Sequence, residues 1–366
     1  MPMHKTSAWP LALVYFGLIV YASLYPFVGW RDQGVAPWVF LTAPLPKYWT
    51  GFDVVSNVLG YMPLGFLLAL TALRTGRPHL ALTLAGGVAL VLSTLMESLQ
   101  SFLPERVPSN LDLVLNVAGA LMGGATAWSL ERLGWLQRWN RFRSGWFVED
   151  ARGAMVLLAL WPIALLFPTE IPLGLGQVVE RTELALLSLL EGSVALEWLP
   201  LGQLALQPLS ALAQWWCVVL GLLIPGLLGY CVIPQRSKRV WFLMWLVLLG
   251  VGATALSGAL SFGPQHAWEW LVPANRLALG VATALLAGLV WVPTRAAAAM
   301  TLLALGVYLS LVNQDSISPY FEQTLFLWEQ GRFIRFHGVV QWLGWLWPFA
   351  ALLYVLGQLW ARETRN

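Results

Sequence analysis

The chain has 366 residues, of which 58% are hydrophobic and only 11% charged, and its mean hydropathy is +0.68. A water-soluble globular domain carries about 25% charged residues, so this composition excludes a soluble enzyme or a free-standing nucleic-acid-binding module. The formal charge of +3 arises from basic residues scattered through short connections, and no nucleic-acid partner is expected.

The first apolar run follows MPMHKTSAW and continues to Tyr25-Pro26-Phe27 without a small-residue cleavage site. It therefore reads as an uncleaved first helix and not as a secretory signal. A bilayer is crossed by about 20 apolar residues, and on that ruler the chain offers about ten spans. These are 9–29, 53–73, 80–103, 111–130, 153–170, 209–232, 240–262, 277–293, 296–312 and 338–360. The fold class expected is thus all-α, a polytopic integral membrane protein embedded in lipid. The 22 Trp and 22 Pro agree with this, since interfacial aromatic belts and kinked helices are common in such proteins. Cys217 and Cys231 share one apolar run and suggest neither a disulfide nor a metal site.

Cytoplasmic loops are enriched in Lys and Arg. Placing the N-terminus inside puts Lys5, Arg74, Arg77, the arginines of 131–152, Arg236, Lys238, Arg239, Arg295, Arg362 and Arg365 inside, and they outnumber the basic residues outside. Of the acids, only Glu131, Glu149, Asp150 and Glu363 then fall inside. Both termini are expected to be cytoplasmic, in a multi-pass protein of the inner (cell) membrane.

The most basic connection divides the chain into a four-helix domain, 1–130, a cytoplasmic linker, 131–152, and a C-terminal membrane domain of about six helices, 153–366. In the linker, ERLGWLQRWNRFRSGWF alternates Arg with Trp and Phe, which suits either a helix on the inner leaflet or a solvated linker. The connection 171–208 carries Glu180, Glu183, Glu191 and Glu197 among leucines and reads as one or two amphipathic segments on the outer surface, with an extra span as the alternative.

Polar residues concentrate in the first domain, above all over 92–124. Asp53 and Asn57 open the second span, Glu97 and Gln100 close the third, Arg106 and Ser109 lie in the turn, and Asp112 and Asn116 open the fourth. With the orientation above, all of them meet at the outer surface. Asp53, Asn57 and Gly60 share a helix face, and Asp112, Asn116, Gly119 and Gly123 repeat that stripe, which suggests a parallel internal repeat. Gly119 and Gly123 also form a small-xxx-small face. Ionisable groups in membrane segments mark function by default. In the functional reading, Glu97, Arg106 and Asp112 are the candidate catalytic groups, and Asp53, Asn57, Gln100, Ser109 and Asn116 the ligand-binding ones. A guanidinium at Arg106 would hold a phosphate or carboxylate. In the structural reading, the same residues cap helices and clamp three spans together.

The strings YASLYPF (21–27), DVVSNVLGYMPLG (53–65) and ESLQSFLPERVPSNLDLVLNVAG (97–119) resemble the VanZ-like membrane proteins, over roughly residues 10–130. The family's acidic, amide and arginine positions are matched at Asp53, Asn57, Glu97, Gln100, Arg106, Asp112 and Asn116. The resemblance implies a membrane domain and a link to low-level teicoplanin resistance, without an agreed reaction. The chain beyond about 150 departs from the short family members.

In the C-terminal half, GPQHAWEWLVPANR (263–276) reads as an aromatic belt or part of an outer lid, and 313–335 as an outward loop followed by His337. No Walker loop, dinucleotide fingerprint, HExxH, CxxC or G-x-S-x-G elbow is present, so neither cofactor nor metal is expected. The leading reading is an outward pocket for an envelope lipid or lipid-linked glycan, with Glu97 as the general base if chemistry occurs. An ion-coupled transporter and a structural scaffold are the alternatives.

Overall fold

The computed structural model describes residues 8–25, 27, 29–104, 106–190, 193, 208–315 and 334–363. Every regular element among them is helical. Each of the ten apolar segments contains a helix. Eight helices are long and apolar enough to cross a membrane, while Ala8–Leu24 and Arg152–Ala164 are shorter. The protein is an all-α, multi-pass membrane protein. The chain forms two compact units, Met1–Phe142 and Arg143–Asn366.

The first unit contains α1 (Ala8–Leu24), α2 (Gly51–Arg74), α3 (Ala81–Gln100) and α4 (Asn110–Arg132). Its most intimate pair is α2 with α4. A Cβ on Gly119 would lie 2.2 Å from the Val58 carbonyl oxygen, and one on Gly123 1.9 Å from that of Met62. From the other side, a Cβ on Gly65 would lie 1.9 Å from the Ala120 carbonyl oxygen. The two backbones therefore touch directly, which is how small residues stabilise helix pairs in lipid. Residue numbers rise together across this contact, so α2 and α4 are parallel. Gly60 is not part of it, and a Cβ there meets nothing within 4 Å. Helix rotation explains the difference, because the contact follows Val58, Met62 and Gly65 around α2. Gly60 instead offers its carbonyl to the Tyr15 hydroxyl of α1 at 3.1 Å, close to the break that Pro63 makes in the helix ladder. Packed against this parallel pair, α3 runs the opposite way, with Ala85 near Gly124 and Ser93 bonded to Asn116. Ala12, Ile19, Tyr61, Leu64, Leu92 and Met96 lie in the buried core.

An amphipathic helix, α5 (Trp135–Trp146), crosses the boundary between the units. Just before it, the Arg132 guanidinium lies 3.7 Å from the centre of the Trp128 ring.

The second unit comprises α6 (Arg152–Ala164), α7 (Val179–Leu189), α8 (Ala211–Val232), α9 (Arg236–Phe262), α10 (Pro273–Gly288), α11 (Thr294–Val312) and α12 (Ile334–Glu363). It is built around α8. Of that helix's apolar window, 83% is buried, against 28–39% for the other seven long helices. Both cysteines are buried thiols on it. Its C-terminal end is closed by Arg239, only 3% exposed. That guanidinium donates to the carbonyls of Tyr230, Ile233, Val290 and Val292 at 2.6–2.9 Å. Among the loop charges counted for orientation, this one works inside the protein.

The expected span 153–170 is helical only to Ala164. Pro168 and Pro172 bias the residues before them away from helix, and the chain runs irregular but buried through Phe167, Ile171, Leu173 and Leu175. Irregular backbone in a membrane protein must find partners inside the protein, and here side chains from other helices provide them. Ser257 donates to the Leu166 carbonyl at 3.0 Å, and Tyr308 to that of Leu173 at 2.7 Å. The Asn313 amide donates to the Gly176 carbonyl at 3.0 Å, while its oxygen accepts the amides of Val178 and Val179. Leu173 has a φ of +63°, a strained value for a residue with a side chain. Its Cβ and carbonyl oxygen stand where a Cβ on Gly221 would be, 2.7 and 2.8 Å away. The stretch 313–335, expected as an outward loop, lies largely outside the described residues, as do Glu191, Glu197 and the side chain of His337.

Candidate functional site

The polar residues of the first unit gather at one end of the bundle, where α2 and α4 begin and α3 ends. Each helix start explains part of the pattern. Thr50 caps α2 in a capping box with Asp53: the Asp53 amide donates to Thr50 Oγ1 at 3.2 Å, and the Thr50 amide to Asp53 Oδ2 at 2.9 Å. Ser109 caps α4, accepting the amides of Leu111 and Asp112 at 3.2 and 3.4 Å. Here the reciprocal half is rerouted. The Ser109 amide donates to Glu97 Oε2 of α3 at 2.8 Å, and the Asp112 carboxylate accepts Asn57 Nδ2 of α2 at 2.8 Å. Three helices are thereby joined through three side chains and one backbone amide.

One turn deeper, Asn116 Nδ2 donates to Ser93 Oγ at 3.0 Å. Glu97 is 4% exposed, Ser93 and Asn116 are buried, and the buried Tyr61 hydroxyl stands beside Ser93 and Glu97. Asn116 Oδ1 has no hydrogen-bond partner in this structure, while the Tyr61 hydroxyl faces the Ser93 side chain. An unmet polar atom in a membrane interior is costly.

The connection 25–50 is tied across this end of the unit. Gln100 Nε2 donates to the Ser23 carbonyl at 3.0 Å and Arg106 Nη2 to that of Tyr25 at 3.2 Å. The Arg31 amide bonds the Phe102 carbonyl, Gln33 Nε2 that of Ser101, and Asn110 Nδ2 that of Ala43.

Residues 6–131, about a third of the chain, match the family model VanZ/LLP1. This segment is a VanZ-like domain. No curated protein and no solved structure matches the chain.

In the VanZ-like domain, all eight residues singled out from the sequence lie at the same end of the helices. Asp53 is engaged in its own helix cap, whereas Glu97, Asp112, Asn57 and Asn116 bind across helices. Gln100 and Arg106 hold the end of α1. Three participants were missed. Tyr61 follows Asn57 by four residues and so lies on the Asp53–Asn57 face, a signal the spacing carried. Asn110 adjoins the cap residue Ser109. Gln33 sits in a connection without periodicity, and no sequence signal marks it.

Proposed function

We propose that the VanZ-like domain binds the head group of a cell-envelope lipid or lipid-linked glycan at this polar end, facing outward from the inner membrane. The observation that carries the reading is Asn116 Oδ1, buried without a hydrogen-bond partner one turn below the buried Glu97. A hydroxyl-bearing head group would donate to that oxygen. Arg106 would face its phosphate or carboxylate, with Asn57 and Gln100 orienting it. Should the bound group react, Glu97 is the residue placed to accept a proton. A role in glycopeptide (teicoplanin) resistance would follow from altering the availability of such a lipid. The proposal includes ten crossings with both termini cytoplasmic, and a division of the chain into 1–130, 131–152 and 153–366.

A specific observation favours a second reading. Asp53, Asp112, Glu97, Gln100 and Arg106 all bond within the domain, as a structural clamp would require. Native mass spectrometry separates the two. Wild type, Glu97→Gln and Arg106→Ala are compared for co-purifying lipid and for thermal stability in detergent. Folded variants that lose a specific anionic lipid or glycolipid support binding. Variants that only unfold, with no lipid lost from the folded fraction, leave the clamp.

A further inference from the structure

The second unit contains a cavity of about 800 Å³ that the VanZ-like domain does not line. It opens where the irregular stretch after α6 meets the start of α8, the end of α9 and the turn 263–276. Its size is that of a small-molecule site, for which about 300–1,000 Å³ is usual. The deep wall is apolar, with Phe167, Ile171, Leu173 and Val218. The remaining wall combines Trp215 and Trp270 with Ser261, Gln214 and Asn275. Glu170 and Glu269 stand at the exposed rim, and Glu269 Oε1 lies 2.7 Å from His266 Nδ1.

Two features select the ligand chemistry. Among the described residues no lysine or arginine lines the cavity, whereas two carboxylates do, so a phosphate or carboxylate head group would be repelled. The indole N–H of Trp270 and the hydroxyl of Ser261 are buried without partners. Trp270 can only donate, so the ligand must supply an acceptor there, and a quaternary ammonium has none. The rim carboxylates have further lone pairs that can accept, so a ligand that also donates is favoured there. A hydroxyl group does both. Several hydroxyls on a ring with an apolar face would meet the carboxylates, the indole N–H and the tryptophan faces together.

We infer that this cavity is a binding site for a neutral sugar, a hexose-type glycosyl group. Its source is either the head group of a glycolipid or a free saccharide. The site lies in the other unit from the polar end of the VanZ-like domain and stands independently of the function proposed for it.

The test uses the full-length protein in a detergent without sugar head groups. Octyl β-glucoside, octyl phosphate, octyltrimethylammonium and free glucose are titrated below micelle-forming concentrations, and adducts are counted by native mass spectrometry. Octyl glucoside should bind in preference to the two charged amphiphiles. Trp270→Phe and Ser261→Ala each remove an unpartnered donor, so both should remain folded, and each should weaken octyl glucoside binding about three- to tenfold, the worth of one hydrogen bond. Should Trp270→Phe lose its fold, Ser261→Ala alone decides. Free glucose that competes at similar concentration identifies a soluble saccharide as sufficient, and glucose that fails while octyl glucoside binds identifies a glycolipid. A preference for either charged amphiphile, or octyl glucoside binding untouched by the substitutions, overturns the assignment.

Discussion

Glu97 on α3 accepts the backbone amide of Ser109 at 2.8 Å, twelve residues further along the chain and at the start of the next helix. In α2 the equivalent amide, that of Thr50, stays within its own cap and donates to Asp53. The same local pattern, a hydroxyl cap with an aspartate three residues on, thus has two outcomes. Where α3 brings a carboxylate to the cap, Asp112 is released and reaches Asn57 on a third helix.

This exchange makes Glu97 a structural acceptor whatever else it does. Glu97→Ala would leave the Ser109 amide without its partner, at a cost of about 1–3 kcal/mol for a buried donor. Glu97→Gln retains an acceptor oxygen and should lose less. Thermal unfolding in detergent orders the three proteins, with the alanine variant lowest. Equal midpoints for the two variants would mean that the bond contributes nothing to stability.

The contact of α2 with α4 leaves no room for a methyl group. Gly119→Ala and Gly123→Ala each place a carbon about 2 Å from a carbonyl oxygen of α2, and overpacking of this kind costs about 1–3 kcal/mol. Gly60→Ala, where the space is open, should be neutral or slightly stabilising, since alanine is the better helix former by up to about 1 kcal/mol. Measuring all three unfolding midpoints checks the assignment of the contact face. A destabilised Gly60→Ala beside a tolerant Gly119→Ala would show that the face is wrong.

Asn57 and Asp112 should be energetically coupled. Interhelical hydrogen bonds in a membrane protein average about 0.6 kcal/mol and reach about 1.7. A charged acceptor places this pair towards the upper end. A double-mutant cycle of Asn57→Ala and Asp112→Ala, read by reversible unfolding, gives the coupling directly. Additive effects would rule the bond out as a stabilising contact.

In the second unit, Arg239→Met should be among the more damaging substitutions away from any ligand site. It keeps much of the apolar stem but strips donors from four carbonyls, each buried one costing about 1–3 kcal/mol when left unpaired. Arg239→Lys should rescue only partly, because a point-like ammonium cannot reproduce the planar fork. Yield of folded, monodisperse protein reports the order Arg, Lys, Met. Full rescue by lysine would contradict the planar-fork account.

The sequence was most informative where one property repeats along the chain. Apolar runs of sufficient length located the eight helices able to cross a membrane, and the Asp-x-x-x-Asn stripes located the polar end of the first unit, because helical spacing alone brings those side chains to one face. Gly119 and Gly123 were legible for the same reason, while Gly60, on the polar stripe of α2, faces open space, since one face of a helix can be polar and another can pack. What spacing cannot carry is the choice of partner. Nothing near Ser109 reveals that its amide goes to Glu97, nor does the run Arg236-Ser237-Lys238-Arg239 reveal that its last member turns inward. The unwinding after Ala164 was signalled by Pro168 and Pro172, yet its burial depends on Ser257, Tyr308 and Asn313, which are distant in sequence.

The bond between Asn57 and Asp112 also imposes a timetable on synthesis. Its partners are separated by 55 positions, which a ribosome working at about 5–20 residues per second covers in about 3–11 s. During that interval α2 has entered the membrane with its amide side chain uncompensated, and Ser93 and Glu97 follow it without Asn116 and the Ser109 amide. Only when α4 is delivered do these groups close on one another. The fourth helix is therefore the one that completes the bundle, and a nascent chain halted after α3 would present its polar end to lipid or to whatever insertion factor shields it.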